Sequence, residues 1–198
     1  MEPISDVREL FRHQRAVRAW SDRPVTDEVL HQVLDAAVHG PSGSNSQPWR
    51  FVVIRDQAVK DAVSALYEEA MAEQYQGAEP DRAQDRQTIA QAPVIILVCV
   101  QVPANGRAGF QTGASVYPAC QNLMLAARSL GLGTVLSTLH RLRRAQIHEL
   151  LGIPETYDSA ALIPLGYPDR SYGPNRRRPV ADFVAYDHWT DPTPDTAN

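Results

Sequence analysis

Cysteine is nearly missing from this chain. Two residues, Cys99 and Cys120, among 198 are too few to staple a secreted scaffold. Neither has the C-x-x-C neighbour that zinc or dithiol chemistry uses, so two buried thiols in a reducing compartment are expected. Long apolar runs are missing too. The longest spans only Val94 to Val100, where a membrane helix needs roughly 18 residues or more. The N-terminal stretch MEPISDVRELFRHQR is charged throughout and lacks the apolar core of a secretory leader. These absences predict a cytoplasmic protein with no membrane partner. There is no basic excess either: 19 Lys and Arg stand against 23 Asp and Glu, a net charge of −4. A nucleic-acid partner is therefore not expected, because such proteins present a basic face.

What is present is ordinary for a folded chain. With 43% hydrophobic and 21% charged residues, 11 Gly and 15 Pro, collagen-like, low-complexity and wholly disordered classes are excluded. At about 150 residues per domain, the length predicts one domain over residues 1–198. No internal repeat and no long linker divides it.

The hydrophobic pattern predicts helices over Asp6 to His13, with Ser5 as cap, and from Thr26 as cap along the stripe Val29, Leu30, Val33, Leu34 and Ala37. Gly40-Pro41 stops the second. Further helices are expected over Ala58 to Tyr75, Thr112 to Leu130 and Arg143 to Leu151, the last closed by Gly152 and Pro154. Strands are expected at Trp49 to Arg55, Pro93 to Val100, Gly133 to Leu139, Ser159 to Leu165 and Phe183 to Tyr186. The stretch Pro93 to Val100 is apolar without alternation, which suits a central strand covered on both faces. Gln76 to Gln87 is polar, a loop or helical excursion. Helices interleaved with about five strands give an α+β or α/β layered domain.

Several familiar signals fail. Gly131-Leu132-Gly133 leaves a helix and enters a strand, the reverse of a dinucleotide fingerprint, and lacks the third glycine. Gly40-Pro41-Ser42-Gly43-Ser44 has Ser44 where a nucleophile elbow needs glycine. Glu28 and His31 are one helical E-x-x-H pair where a di-iron site needs two. The six histidines show no i, i+4 pairing, so no metal site is expected. No persuasive triad or carboxylate pair appears, so no catalytic side chain is named. His39 and His140 read as packing or surface residues.

Three stretches remain that composition does not explain. Gln14-Arg15-Ala16-Val17-Arg18-Ala19-Trp20 carries two arginines and an aromatic. Gly40 to Trp49, GPSGSNSQPW, is a small, polar, turn-forming loop that leads into a strand. Asn175-Arg176-Arg177-Arg178-Pro179 is an arginine cluster in an acidic chain. Two basic patches with a loop rich in backbone donors suit a ligand with an anionic group and a flat polar ring. Arginine forks bind phosphate bidentately, and small residues let backbone approach a ligand closely.

In order, these stretches resemble the nitroreductase family of flavoenzymes. QRAVRAW is similar to that family's R-R-S-V-R-x-F/Y opening, and AAVHGPSGSNSQPWRF, from Ala36 to Phe51, to its A-x-x-A-P-S-x-x-N-x-Q-P-W-x-F segment. QNLMLAARSLGLGT, from Gln121 to Thr134, matches its long helix. Leu165 to Pro168 matches L-G-Y-P, and Arg176 to Pro179 the closing basic segment. The resemblance spans nearly the whole chain. It implies an α+β sandwich with a central, mostly antiparallel or mixed sheet flanked by helices. It also implies an intertwined homodimer with FMN at the subunit interface and a C-terminal tail, about 180–198, reaching the partner.

By position, Arg15 and Arg18 would meet the phosphate and ribityl side, beside Gln14 and Ala16. Pro41, Ser42, Gly43 and Asn45 would come from the partner subunit. Leu136, Ser137 and Thr138 would present backbone groups to the flavin ring, and Arg176 and Arg177 would complete the phosphate clamp. Gln14 and Ala16 replace the family's first arginine and its serine, and each change removes a phosphate donor. The Leu136-Ser137-Thr138 stretch differs from the P-x-E-G form of other members. The activity implied is NAD(P)H-driven, ping-pong reduction of a nitroaromatic, quinone or similar electron-poor acceptor by hydride from reduced FMN. Alternatives on the same resemblance are ene reduction, dehydrogenation, flavin breakdown or non-enzymatic flavin storage.

Overall fold

A computed structural model of the chain describes residues 1–75, 87–103, 106 and 109–191. Its helices are α1 (Val7–His13), α2 (Asp27–Val38), α3 (Gln57–Tyr75), α4 (Phe110–Ser129) and α5 (Arg144–Leu151). The strands are β1 (Trp49–Ile54), β2 (Val94–Gln101), β3 (Gly133–Thr134) and β4 (Tyr157–Gly166). They form one antiparallel sheet in the order β1-β2-β4-β3.

β2 is central because both of its faces are apolar. Its even-numbered residues Val94, Ile96, Val98 and Val100 pack with α2 and α4, through Leu30, Val33, Val116, Cys120 and Leu123. Its odd-numbered Ile95, Leu97 and Cys99 pack with Val63 and Tyr67 of α3 and Ile147 of α5. Alternate side chains of a strand point to opposite faces, so a continuous apolar run marks a strand covered on both sides. Helices therefore sandwich the sheet. Both cysteines are buried and unpaired, and burial pushes each thiol up to about 12.

Four sequence expectations are corrected. Asp6, not Ser5, caps α1: its Oδ1 accepts the N–H groups of Arg8 at 3.0 Å and Glu9 at 2.9 Å, which Ser5, one residue further out, does not do. The strand expected over Gly133 to Leu139 shrinks to Gly133–Thr134. Beyond it Ser137 makes a single bridge to Leu162, and Leu139–Arg143 winds into a 3-10 turn. Phe183 to Tyr186 forms no strand, because within one chain it meets no sheet edge. Val180–Phe183 is a 3-10 turn instead, and the described residues hold four strands where about five are expected. Gly40 ends α2 for a reason other than left-handed backbone: a Cβ there would lie 2.8 Å from the Ala119 amide nitrogen. Close packing of α2 on α4 needs the missing side chain. Thr26 does cap α2, accepting from the Val29 N–H at 3.4 Å. Gly131 and Gly152 do end their helices left-handed, at φ 84 and 63. The stretch 76–86 and the tail 192–198 lie outside the described residues.

Candidate active site

The Gln14 to Trp20 stretch leaves α1 and runs along the outer edge of β3. Ala16 bridges to Thr134 in parallel, and the Val17 N–H donates to the Thr134 carbonyl at 2.9 Å. Gly133 makes room, since a Cβ there would sit 2.7 Å from Val17, and its carbonyl accepts the Trp20 indole N–H at 3.3 Å. With Val17, Ala19 and Trp20 buried, Arg18 is left facing a cleft of about 690 Å³ between this edge and α3, which Leu136, Ser137 and Thr138 also line. Arg18 is the one charged residue lining it among those described. Trp20, Val135 and Leu136 give the cleft an apolar floor.

Arg15 lies on the same stretch, its Nη1 donating to the Gly173 carbonyl at 3.3 Å. Gln14 turns inward, its amide 3.6 Å from Met124 Sδ, and Ala16 offers only backbone. The arginine cluster is anchored by its first residue, to which sequence reasoning gave no role. Asn175 Nδ2 donates to the carbonyls of Phe11 at 2.9 Å and Gln14 at 3.0 Å, and its N–H to that of Arg12 at 2.7 Å. Those are carbonyls at the end of α1, which no further helical turn satisfies. The arm is thereby pinned beside Arg15, and Arg176 and Arg177 follow directly. Arg178 stacks on Phe183, 4.4 Å from the ring centroid.

Ser137 differs from expectation. Its N–H donates to the Leu162 carbonyl at 2.9 Å, and the Leu162 N–H donates back at 2.9 Å. The backbone of Ser137 is thus committed to the sheet, while its side chain faces the cleft. Leu136 and Thr138 are the two members of that stretch left with N–H groups for a ligand.

The Pro41 to Asn45 loop is elsewhere. It precedes β1, the opposite edge of the sheet from β3, three strand spacings or about 14 Å away. Its backbone is strained: Ser44, Asn45 and Gln47 take φ of 53, 54 and 48, a left-handed conformation that non-glycine residues hold only when the surroundings enforce it. Here Ser115 Oγ accepts the Gly43 N–H at 3.2 Å, and Ser42 Oγ accepts that of Gln47 at 3.1 Å. A separate open cleft lies beside the loop, lined by Ser46, Pro48, Phe110 and Thr112. Of the sequence-named residues, one chain brings Arg18, Leu136, Ser137 and Thr138 together in the cleft beside β3. Gln14 and Arg15 line a separate small pocket with Gly133 and Thr134, and Arg176 and Arg177 follow the Asn175 anchor at the end of α1. The same chain does not bring Pro41, Ser42, Gly43 and Asn45 to them.

The titratable groups near the cleft are structural. His39 is exposed, with Nδ1 at 2.8 Å from the Asp35 carbonyl. His140, directly after the cleft loop, is fully buried and neither ring nitrogen has a hydrogen-bond partner. Burial pushes its imidazole down to about 4, with the Arg141 guanidinium acting the same way. Folding thus excludes a proton that the unfolded chain takes up near 6.5. Stability from this group is full above that pH and falls as pH drops toward 4, by about 3 kcal/mol in all. Denaturant midpoints at pH 7.5 and 5 should differ by about 2 kcal/mol from His140, and His140→Leu should remove that difference. An unchanged pH dependence in the variant would show that the imidazole is not held neutral.

Among described residues no group of His, Cys, Asp or Glu could hold a metal ion, and no helix is long and apolar enough to cross a membrane.

A model of the nitroreductase family matches residues 11–167. A protein of Methanothermobacter thermautotrophicus, provisionally named NADH dehydrogenase/NAD(P)H nitroreductase, is 35% identical over 85% of this chain and 80% of its own length. Iodotyrosine deiodinase 1 of Rattus norvegicus is 32% identical over 89% of this chain and 67% of its own. A crystal structure of an iodotyrosine deiodinase bound to FMN and 3-iodo-L-tyrosine is similar with a TM-score of 0.77 at 26% identity, covering 92% of this chain and 99% of that one. A provisionally named nitroreductase of Desulfovibrio desulfuricans, in complex with FMN, gives 0.74 at 27%, covering 94% and 99%. The chain belongs to the nitroreductase family of oxidoreductases.

Proposed function

We propose that the protein is an FMN-dependent oxidoreductase, a single domain over 1–198. It takes electrons from NAD(P)H and passes them to a nitroaromatic, quinone or related electron-poor acceptor in two half-reactions, as a cytoplasmic homodimer. The observation that carries this reading is the cleft beside β3. Arg18 faces it with no carboxylate among the described residues of its walls, and Leu136 and Thr138 offer N–H groups. Asn175 pins the arginine arm to the end of α1, next to the stretch that carries Arg15 and Arg18. Those donors fit FMN. Cationic groups suit its phosphate, and a flat apolar floor with backbone donors suits its ring. Gln14 and Ala16 supply no donor, and Arg176 and Arg177 take over that part of the clamp. Relatives solved with FMN bound support the assignment.

When bound, FMN accepts an electron pair from the nicotinamide and returns it to the acceptor. The chain's own residues bind and orient. Arg15, Arg18, Arg176 and Arg177 hold the phosphate and ribityl side, and Leu136 and Thr138 hold the ring edge. Pro41, Ser42, Gly43 and Asn45, on the far sheet edge, serve the second copy's cleft.

Purified protein should be yellow and release FMN on denaturation. Anaerobic NADH or NADPH should bleach it, and an added nitroaromatic or quinone should restore the colour. A colourless protein sinks the cofactor assignment, and a yellow protein that neither nucleotide bleaches is a flavin store. A second reading, reductive removal of halogen from a phenol, is favoured by iodotyrosine deiodinase relatives about as similar as the nitroreductase-named ones. An iodophenol among the acceptors separates the two.

A further inference from the structure

Tyr67, from the middle of α3, and Ser137, from the loop after β3, meet on the wall of the cleft that Arg18 lines. The Tyr67 hydroxyl donates to Ser137 Oγ at 2.9 Å. The Leu139 N–H donates to the same oxygen at 3.3 Å. A serine hydroxyl has two acceptor lone pairs and one proton. With both acceptor positions filled, Ser137 has only its proton left to offer, and its side chain lines the cleft. The residue is also fixed in place, because both of its backbone groups are bonded to Leu162. Tyr67 is nearly buried, with its ring in the apolar layer of Ile95, Leu97 and Ile147. A phenylalanine would serve that packing equally well, and a buried phenol needs a partner for its hydroxyl. One partner of that hydroxyl is Ser137 Oγ, and a bond received there sets which way Ser137 donates.

We propose that this pair is a specificity device: Tyr67 holds Ser137 as a donor-only hydroxyl that hydrogen-bonds the oxygen of the electron-accepting group, a nitro or quinone carbonyl oxygen. Ser137 touches the substrate, and Tyr67 is a positioning residue that acts through it. The inference rests on the oxidoreductase reading above and adds the substrate chemistry to it.

The test uses the flavin-loaded protein, with FMN content and NADH or NADPH bleaching measured first. Two acceptors follow: 4-nitrobenzoate, which accepts hydrogen bonds, and ferricyanide, which takes electrons without a hydroxyl partner. In Ser137→Ala the ratio of kcat/KM for nitrobenzoate over ferricyanide should fall about five- to tenfold, the worth of one hydrogen bond. Tyr67→Phe keeps the ring and should lower the ratio about two- to threefold. Ser137→Thr, which keeps the hydroxyl, should restore most of it. Because the residues act in series, the double variant should be no worse than Ser137→Ala alone. An unchanged ratio in Ser137→Ala, or losses that simply add, overturns the device while leaving the oxidoreductase standing. A wild-type protein without bleachable flavin overturns the oxidoreductase reading, and the device with it.

Discussion

Cutting the chain after Pro179 is expected to give a colourless monomer. The segment it removes carries Val180, Phe183, Tyr186 and Trp189, which are 77, 62, 84 and 86% exposed in the single chain. Large apolar side chains left so open, one after another on one arm, need a surface to cover them. The described residues offer none: Phe183 has the Arg178 guanidinium over it, and the rest of the described arm adds to no strand. A second copy supplies that surface at little cost, since exchange of a terminal element builds a twofold dimer from contacts already encoded. The cofactor should leave in the same step. The Pro41 to Asn45 loop and the Arg18 cleft lie on opposite edges of one sheet, so in the proposed dimer it is the neighbour's loop that completes the cleft. Light scattering and the visible spectrum decide the matter together. A yellow dimer at low micromolar concentration would show that the arm is dispensable for both. A colourless dimer would separate flavin binding from the exchange, and a yellow monomer would place the whole site within one chain.

What the sequence could and could not reveal divides by range. The stripe of α2 and the unbroken apolar run of β2 were legible because each is local, set by which faces of one element meet a neighbour. The GPSGSNSQPW loop and the long QNLMLAARSLGLGT helix were legible as motifs, and the family follows from them. Termination was less legible. Gly133 to Leu139 includes the strand formers Thr134, Val135 and Thr138, yet it leaves the sheet after Thr134, where the Ala16–Val17 segment pairs along its outer edge. That competitor comes from residues more than 100 positions away and leaves no local trace. Asn175 was invisible for the same reason: nothing near it says that its amide will close the end of α1. Tyr67 and Ser137 are 70 residues apart, and only the fold shows that one hydroxyl fixes the other. The glycine at position 40 was read as a helix stop, and its work turns out to be steric, against Ala119.

The arginines carry the other large effect. Arg15→Ala and Arg177→Ala should each weaken FMN binding roughly tenfold to a hundredfold, because a charge-assisted bond to phosphate contributes about 1.5–3 kcal/mol. The two are not equivalent in the structure. Arg15 is tethered through the Gly173 carbonyl and sits 5.7 Å from the Tyr172 ring, so its loss also loosens the arm. Arg177 is exposed and bonded only to the neighbouring Arg176 carbonyl, so its loss should leave the apoprotein's stability unchanged. Neither has a carboxylate partner among described residues, and on the proposed reading both charges are left for the phosphate. Salt should therefore weaken FMN binding to wild type more steeply than to either variant, since each lost cation removes one screened contact. Titration of apoprotein with FMN, and with riboflavin as the phosphate-free control, reads both effects. Riboflavin affinity should be low and nearly the same in all three proteins. If the variants instead lose riboflavin and FMN in equal proportion, the arginines shape the ring site and do not clamp the phosphate.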